Sequence, residues 1–118
     1  MRLLIMMSGI VLLAGCGSPS TDEWLGQLKD AEVVKRRQAL RELAGRTAEA
    51  QRIVPAVREA LRDDNAYVRH DAAMVLGKFG PDAREAVPAL TLALKDKDQS
   101  VRKAAGSALK KIDPPAAK

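Results

Sequence analysis

Three groups of residues in this sequence are of types that do chemistry, and their spacing limits what each can do. His70 and Asp71 are adjacent, a pairing that can orient an imidazole for proton transfer or metal binding. One His and one Cys in the whole chain, however, cannot assemble several Cys and His ligands around zinc, and cannot form an internal disulfide. Ser107, in Ala105-Gly106-Ser107-Ala108, lacks the glycine pattern that presents a nucleophilic serine on a strained turn. The second group is two columns set six residues apart, Asp30, Asp63 and Asp96 with Arg36, Arg69 and Arg102, suited to bidentate guanidinium to carboxylate hydrogen bonds. The third is a set of cations, Arg37, Arg41, Lys78, Lys103, Lys110 and Lys111 together with His70, which could hold an anionic surface. The sequence offers no catalytic constellation, and neither a metal nor another cofactor is expected.

The elements that must position these residues follow from an internal repeat. Sliding the sequence on itself by 33 residues aligns Leu28, Leu61 and Leu94, then the Asp and Arg columns, then Ala39, Ala72 and Ala105, then Leu43, Leu76 and Leu109. Val54-Pro55-Ala56 returns as Val87-Pro88-Ala89, and Pro81 as Pro114. A period of this length marks a repeat architecture. Each unit reads as two helices. Pro55 and Pro88 are expected in a first helical turn, where a missing N–H costs least, with apolar positions at helical spacing up to Leu61 and Leu94. Asp63-Asp64-Asn65 and Asp96-Lys97-Asp98 then supply capping oxygens for a second helix. Second helices are expected over 33–46, 66–79 and 99–112, with Gly80-Pro81 and Asp113-Pro114-Pro115 as stops.

Composition agrees with that plan. The 118 residues are 47% apolar and 30% charged, which fits one small domain. One Trp, one Tyr and one Phe stand against 20 Ala, so the core must be built from small and aliphatic side chains, as in helices packed at close range. A large β-sandwich does not fit.

At the repeated positions the sequence resembles the HEAT-like repeats of phycobilisome-lyase-type proteins, whose unit looks like V-P-A-L, a helix, D-x-D/N, and V-R-x-A-A-x-A-L-G. Here that is Val87-Pro88-Ala89-Leu90, then Asp96 and Asp98, then Val101-Arg102 with Ala104-Ala105, Ala108 and Leu109. Val68-Arg69 with Ala72-Ala73 and Leu76-Gly77 is the closer second copy. The resemblance implies an all-α fold, a short α-solenoid of three HEAT-like helical hairpins. Repeats of about 22–46, 50–80 and 83–113 make up a domain over 22–113, with a tail of 114–118. It also implies that the second helices line the concave side, and that the Asp and Arg columns form a structural ladder between repeats. The large aromatic positions of a 34-residue tetratricopeptide array are not matched. His70-Asp71 looks like the His-Glu element of HEAT-like deoxyhypusine hydroxylases, but the aligned positions are Arg37-Gln38 and Lys103-Ala104, and one such pair makes no metal cage. On a helical wheel His70 projects about 160° from Ala72, which predicts a solvated histidine.

The first unit departs from the pattern, with Lys35, Glu42 and Arg46 where the second has Val68, Val75 and Phe79. These three give the first hairpin a polar outer face, as terminal repeats need for solubility, and three units are about the minimum for a stable stack. A complete, capped module is expected.

Ahead of the repeats, Met1 to Cys16 reads as one Arg, an apolar run from Leu3 to Leu13, and small residues, the layout of a secretory signal. That run is about half the roughly 20 residues needed to span a bilayer. Leu13-Ala14-Gly15-Cys16 resembles the lipobox of bacterial lipoproteins at all four positions. The resemblance implies a signal peptide over 1–15, cleavage before Cys16, and lipidation of its sulfur, with 16–21 as the lipidated Cys and a short tether. Such a protein is lipid-anchored in the bacterial cell envelope. Gly17, where the inner-membrane retention signal has Asp, favours the periplasmic side of the outer membrane in a Gram-negative host.

Charge is unevenly placed. The three second helices carry a net +9, and the rest of the chain from Cys16 onward carries −5. The wheel puts Arg37, Arg41, His70, Lys78, Lys103, Lys110 and Lys111 on the outward face of those helices, giving a candidate partner-binding face. The expectation is a membrane-anchored, non-catalytic scaffold that binds a protein partner with an acidic surface, without nucleic acid or a small-molecule substrate. The alternatives are an enzyme or enzyme subunit related to the bilin lyases, for which 3% aromatics offer little pigment packing, or a binder of anionic lipid or envelope polymer.

Overall fold

The computed structural model describes residues 17–114; Cys16, the signal segment before it, and residues 115–118 of the expected tail lie outside the described residues. Helices α1 (Thr21–Gln27), α2 (Val33–Leu43), α3 (Ala50–Ala60), α4 (Ala66–Phe79), α5 (Val87–Ala93) and α6 (Gln99–Ile112) form three hairpins, with short 3-10 segments at Thr47–Glu49 and Gly80–Ala86. No strand occurs among the described residues. Within each hairpin the first helix packs on the second, and the second helices pack on one another, α2 on α4 and α4 on α6. This is the short all-α solenoid the repeat implies.

Local chemistry sets the helix starts. Asn65 caps α4 by accepting from the N–H groups of Tyr67 and Val68, and Asp98 caps α6 by accepting from Ser100 and Val101. These side-chain oxygens satisfy donors that the first turn of a helix leaves open. Ser20 and Glu23 form a reciprocal capping box at the start of α1, so Thr21 belongs to the helix, one residue before the expected domain start. Thr21 is buried there; its hydroxyl donates to Glu49 at 2.6 Å and accepts from Arg46 at 3.0 Å. α2 starts at Val33 after Glu32, whose side chain makes no capping bond, and stops at Leu43, three residues short of the expected 46. Arg46 turns back to the N-terminal segment, donating also to the Pro19 carbonyl at 2.9 Å.

Pro55 corrects an expectation. It lies inside α3, five residues after its start at Ala50, whereas Pro88 sits in the first turn of α5. A proline inside a helix costs the i−4 carbonyl its donor, here Gln51, and Gln51 is exposed, so solvent can take the donor's place. In the third hairpin the same stretch is replaced by the 3-10 segment. Gly80, with φ 60°, reverses the chain at the end of α4 in a backbone region that favours glycine.

The core runs along the whole stack. Leu40, Leu43, Ile53, Val57, Leu76, Leu90 and Ile112 are fully buried, and the Ala39, Ala72 and Ala105 column lies between them with no exposure. Small side chains let the second helices approach closely, and Gly77 shows the limit. A Cβ placed on Gly77 would lie 3.2 Å from Cα and 3.3 Å from Cβ of Ala108 on α6. Gly77→Leu is therefore expected to push α6 off α4 and lower stability by about 3 kcal/mol, the upper part of the overpacking range. An unchanged urea midpoint would show that this contact yields.

Candidate functional site

The two columns meet in three dimensions. Arg69 Nε donates to Asp96 Oδ2 at 2.8 Å and its NH2 to Asp96 Oδ1 at 3.1 Å, while NH1 donates to the carbonyls of Asp63 at 2.7 Å and Asp64 at 3.0 Å. Arg36 does the same one repeat earlier, with Nε and NH2 on Asp63 at 2.8 and 3.0 Å and NH1 on the carbonyls of Asp30 and Ala31 at 2.8 and 3.1 Å. Each arginine thus closes the turn of its own hairpin and grips the turn carboxylate of the next. Each gripped carboxylate also accepts from a backbone N–H two residues on, Asn65 for Asp63 and Asp98 for Asp96, both at 2.9 Å.

Among the described residues, the two ends of the columns lack a side-chain partner one repeat away. Arg102 donates from NH1 to its own turn at the Asp96 carbonyl, 2.7 Å away, and finds no carboxylate among the described residues. The Asp30 carboxylate accepts from the Glu32 N–H at 2.9 Å and meets no arginine side chain among the described residues. The expectation that all six residues form the ladder is corrected, because among the described residues a partner one repeat away exists only for the inner four.

Burial alone would raise the Asp96 carboxyl, but the hydrogen bonds from Arg69 and the Asp98 N–H outweigh it and hold Asp96 below the ordinary carboxylate range. A carboxyl depressed on folding stabilises the fold above its unfolded value, about 3.9, and that contribution is lost as pH falls through the folded value. The urea midpoint is therefore expected to drop below about pH 4, and to drop less in Asp96→Asn. Parallel acid profiles for the two proteins would contradict this.

The cationic face is less uniform than its sequence. Arg37 Nε donates to Asp71 Oδ2 at 2.7 Å, and the guanidinium lies 5.0 Å from the Tyr67 ring centroid. This hydrogen bond to Asp71 raises the Arg37 pKa further above its ordinary value. His70 is half-buried rather than fully solvated, with Nδ1 3.3 Å from Asp71 Oδ1. Arg37 and His70 are thus engaged by an acid on α4 and do not belong to an open cationic strip. Sequence reasoning paired His70 with Asp71 but missed Asp71 as the partner of Arg37, because the two are 34 residues apart, one off the repeat period.

Arg41, Lys78, Lys103, Lys110 and Lys111 are exposed and have no acid within ion-pair distance among the described residues. Between α2 and α4 a groove of about 470 Å³ is lined by Arg41, Ala44, Gly45, His70, Asp71, Met74, Val75 and Lys78. Met74 is exposed among these residues, so the groove combines apolar surface with the cations Arg41 and Lys78. The stem of Lys111 passes close to Gly77, its Cδ 3.5 Å from where a Cβ there would lie. Among the described residues no three His, Cys, Asp or Glu side chains gather where a metal could bind, and no helix is long and apolar enough to cross a membrane.

Comparison with known proteins agrees with this architecture. HEAT repeats match residues 21–91 and 65–118. The search of curated proteins found no match. Among solved structures, one similar chain comes from the complex of CpcE and CpcF of phycocyanin lyase from Nostoc sp. PCC7120, at 27% sequence identity and a TM-score of 0.73. The match covers 83% of this chain and 39% of that one, so this chain spans well under half the length of the chain it resembles. With matches across all three hairpins and the repeat geometry in place, the chain belongs to the HEAT repeat family.

Proposed function

We propose that this protein is a non-catalytic, membrane-anchored scaffold that binds an acidic protein surface along the exposed face of its second helices. The observation that carries this reading is the set of cations without acid partners among the described residues, Arg41, Lys78, Lys103, Lys110 and Lys111, beside a groove that Met74 helps to line. Exposed charges cost little to keep and gain most when a partner of opposite sign arrives, and an apolar surface adds area to be buried. Similarity to a subunit of a two-protein lyase complex favours a protein partner. Anchoring rests on the lipobox resemblance at Leu13-Ala14-Gly15-Cys16, and the envelope location rests on that anchor. An enzyme subunit related to phycocyanin lyase is the second reading, and only that structural similarity favours it.

Crosslinked pull-down of the native protein tests the face when run beside a Lys78→Glu, Lys103→Glu double variant. Loss of the captured protein in the variant is expected; equal capture by both would discard the face as the binding surface. Cys16→Ser tests the anchor: uncleaved precursor and no acyl labelling are expected, and a free Cys16 thiol on mature native protein would end that part of the reading.

A further inference from the structure

The open ends of the ladder carry an inference beyond the cationic face. We propose that copies of this chain associate head to tail, the Arg102 end of one against the Asp30 end of the next, in continuation of the internal repeat step. Arg36 and Arg69 each use Nε and NH2 on the turn carboxylate of the following hairpin. Arg102 is held by its own turn in the same way through NH1, and its other edge is exposed. Asp30 occupies the position of Asp63 and Asp96, accepts the same backbone N–H two residues on, and lacks only the guanidinium. One further step of the 33-residue repeat brings the Asp30 of a second copy to the place where Arg102 would grip it.

The surfaces around that pair agree. At the joint between hairpins one and two, Val75 shares a groove with Ala44 and Gly45. Across copies the corresponding residues are Glu42 on one side and Lys110 and Lys111 on the other, opposite charges where the internal joint is apolar. The Arg37 to Asp71 bond corresponds across copies to Lys103 and Gln38, a donor facing an acceptor. The remaining charges of the first face are already met within the chain, Arg46 by Thr21 and Pro19, and Lys35 by Glu32 at 3.7 Å. Leu94 is 40% exposed where Leu61, one repeat earlier, is 6% exposed, so the Arg102 end keeps apolar area that a neighbour would cover. A joint of this kind is heterologous, polar and salt-sensitive, and it generates open chains rather than closed rings.

Two tagged full-length copies expressed together, one with Gln38→Cys and one with Lys103→Cys, place thiols across the proposed joint for a short bismaleimide crosslinker. A mixed dimer requiring both cysteines is expected. Arg102→Asp in the Lys103→Cys copy, or Asp30→Arg in the Gln38→Cys copy, should cut its yield about tenfold, the scale of one charge-assisted bidentate pair. Both reversals together should restore it, which a merely loosened turn would not do. Absence of a dimer requiring both cysteines, indifference to single reversals, or failure of the double reversal to restore the yield would each overturn the proposal.

Discussion

Alanine at Arg69 is expected to lower the unfolding free energy by about 3 to 5 kcal/mol, the range for removing one partner of a buried ion pair. Arg69 is only 7% exposed, and its four hydrogen bonds bind two turns of the stack at once. Its loss strands the largely buried carboxylate of Asp96 and leaves the Asp63 and Asp64 carbonyls without their side-chain donor. With whole-domain stabilities of about 5 to 15 kcal/mol, such a loss threatens the fold at physiological temperature. Arg102→Ala removes a single bond from an exposed side chain and is expected to cost within about 0.5 kcal/mol. Urea denaturation of the two variants at constant slope decides the matter. Equal midpoint shifts would mean that the grip on the next repeat contributes nothing beyond the bond within the turn.

The second large effect is on binding. Association of the acidic partner with the second-helix face is expected to weaken by at least about tenfold as salt rises from about 0.1 to 1 M, because the Debye length shrinks from about 10 to 3 Å. Lys78→Glu with Lys103→Glu should weaken binding by a further factor of about 100 at low salt, by replacing two attractions with two repulsions of order 1 kcal/mol or more each, acting mainly on the association rate. Both lysines are exposed and free of acid partners among the described residues, so the fold is expected to hold. Arg37 is a poor choice for reversal, since a glutamate there would face Asp71 and lose the bond that joins α2 to α4. Titrations across salt, with circular dichroism as the control for folding, check the result. A partner indifferent to both salt and reversal would move the binding site to the first-helix side.

Much of the architecture is legible from residue spacing because it is local and repeated. Asn65 and Asp98 announce the caps of α4 and α6, Gly80-Pro81 the end of α4, and the alanine column the close approach of the second helices. The inner ladder residues are legible for a different reason: a bidentate pair recurring at a fixed step has few other geometries available. Pro55 was less legible, since whether a helix starts before a proline depends on which side of it meets solvent, and the burial of Ala50, Ile53 and Val54 holds the extra turn in place.

The sequence by itself determined the repeat, its 33-residue step, the helical pairs and the surplus of positive charge on the second helices. Those are properties of order along the chain, and local hydrogen bonding and side-chain periodicity are enough to express them. Only the tertiary structure decided which charges remain available. Packing α4 against α2 set Asp71 under Arg37 and His70 and took both out of the open face, while the stack left Lys78, Lys103, Lys110 and Lys111 without acids among the described residues. It also separated the inner ladder, where each arginine has a repeat beyond it to grip, from Asp30 and Arg102 at the two ends. A side chain's charge is written in its residue type, but its partner is whatever neighbour the fold brings within about 3 Å, and that depends on residues far away along the chain.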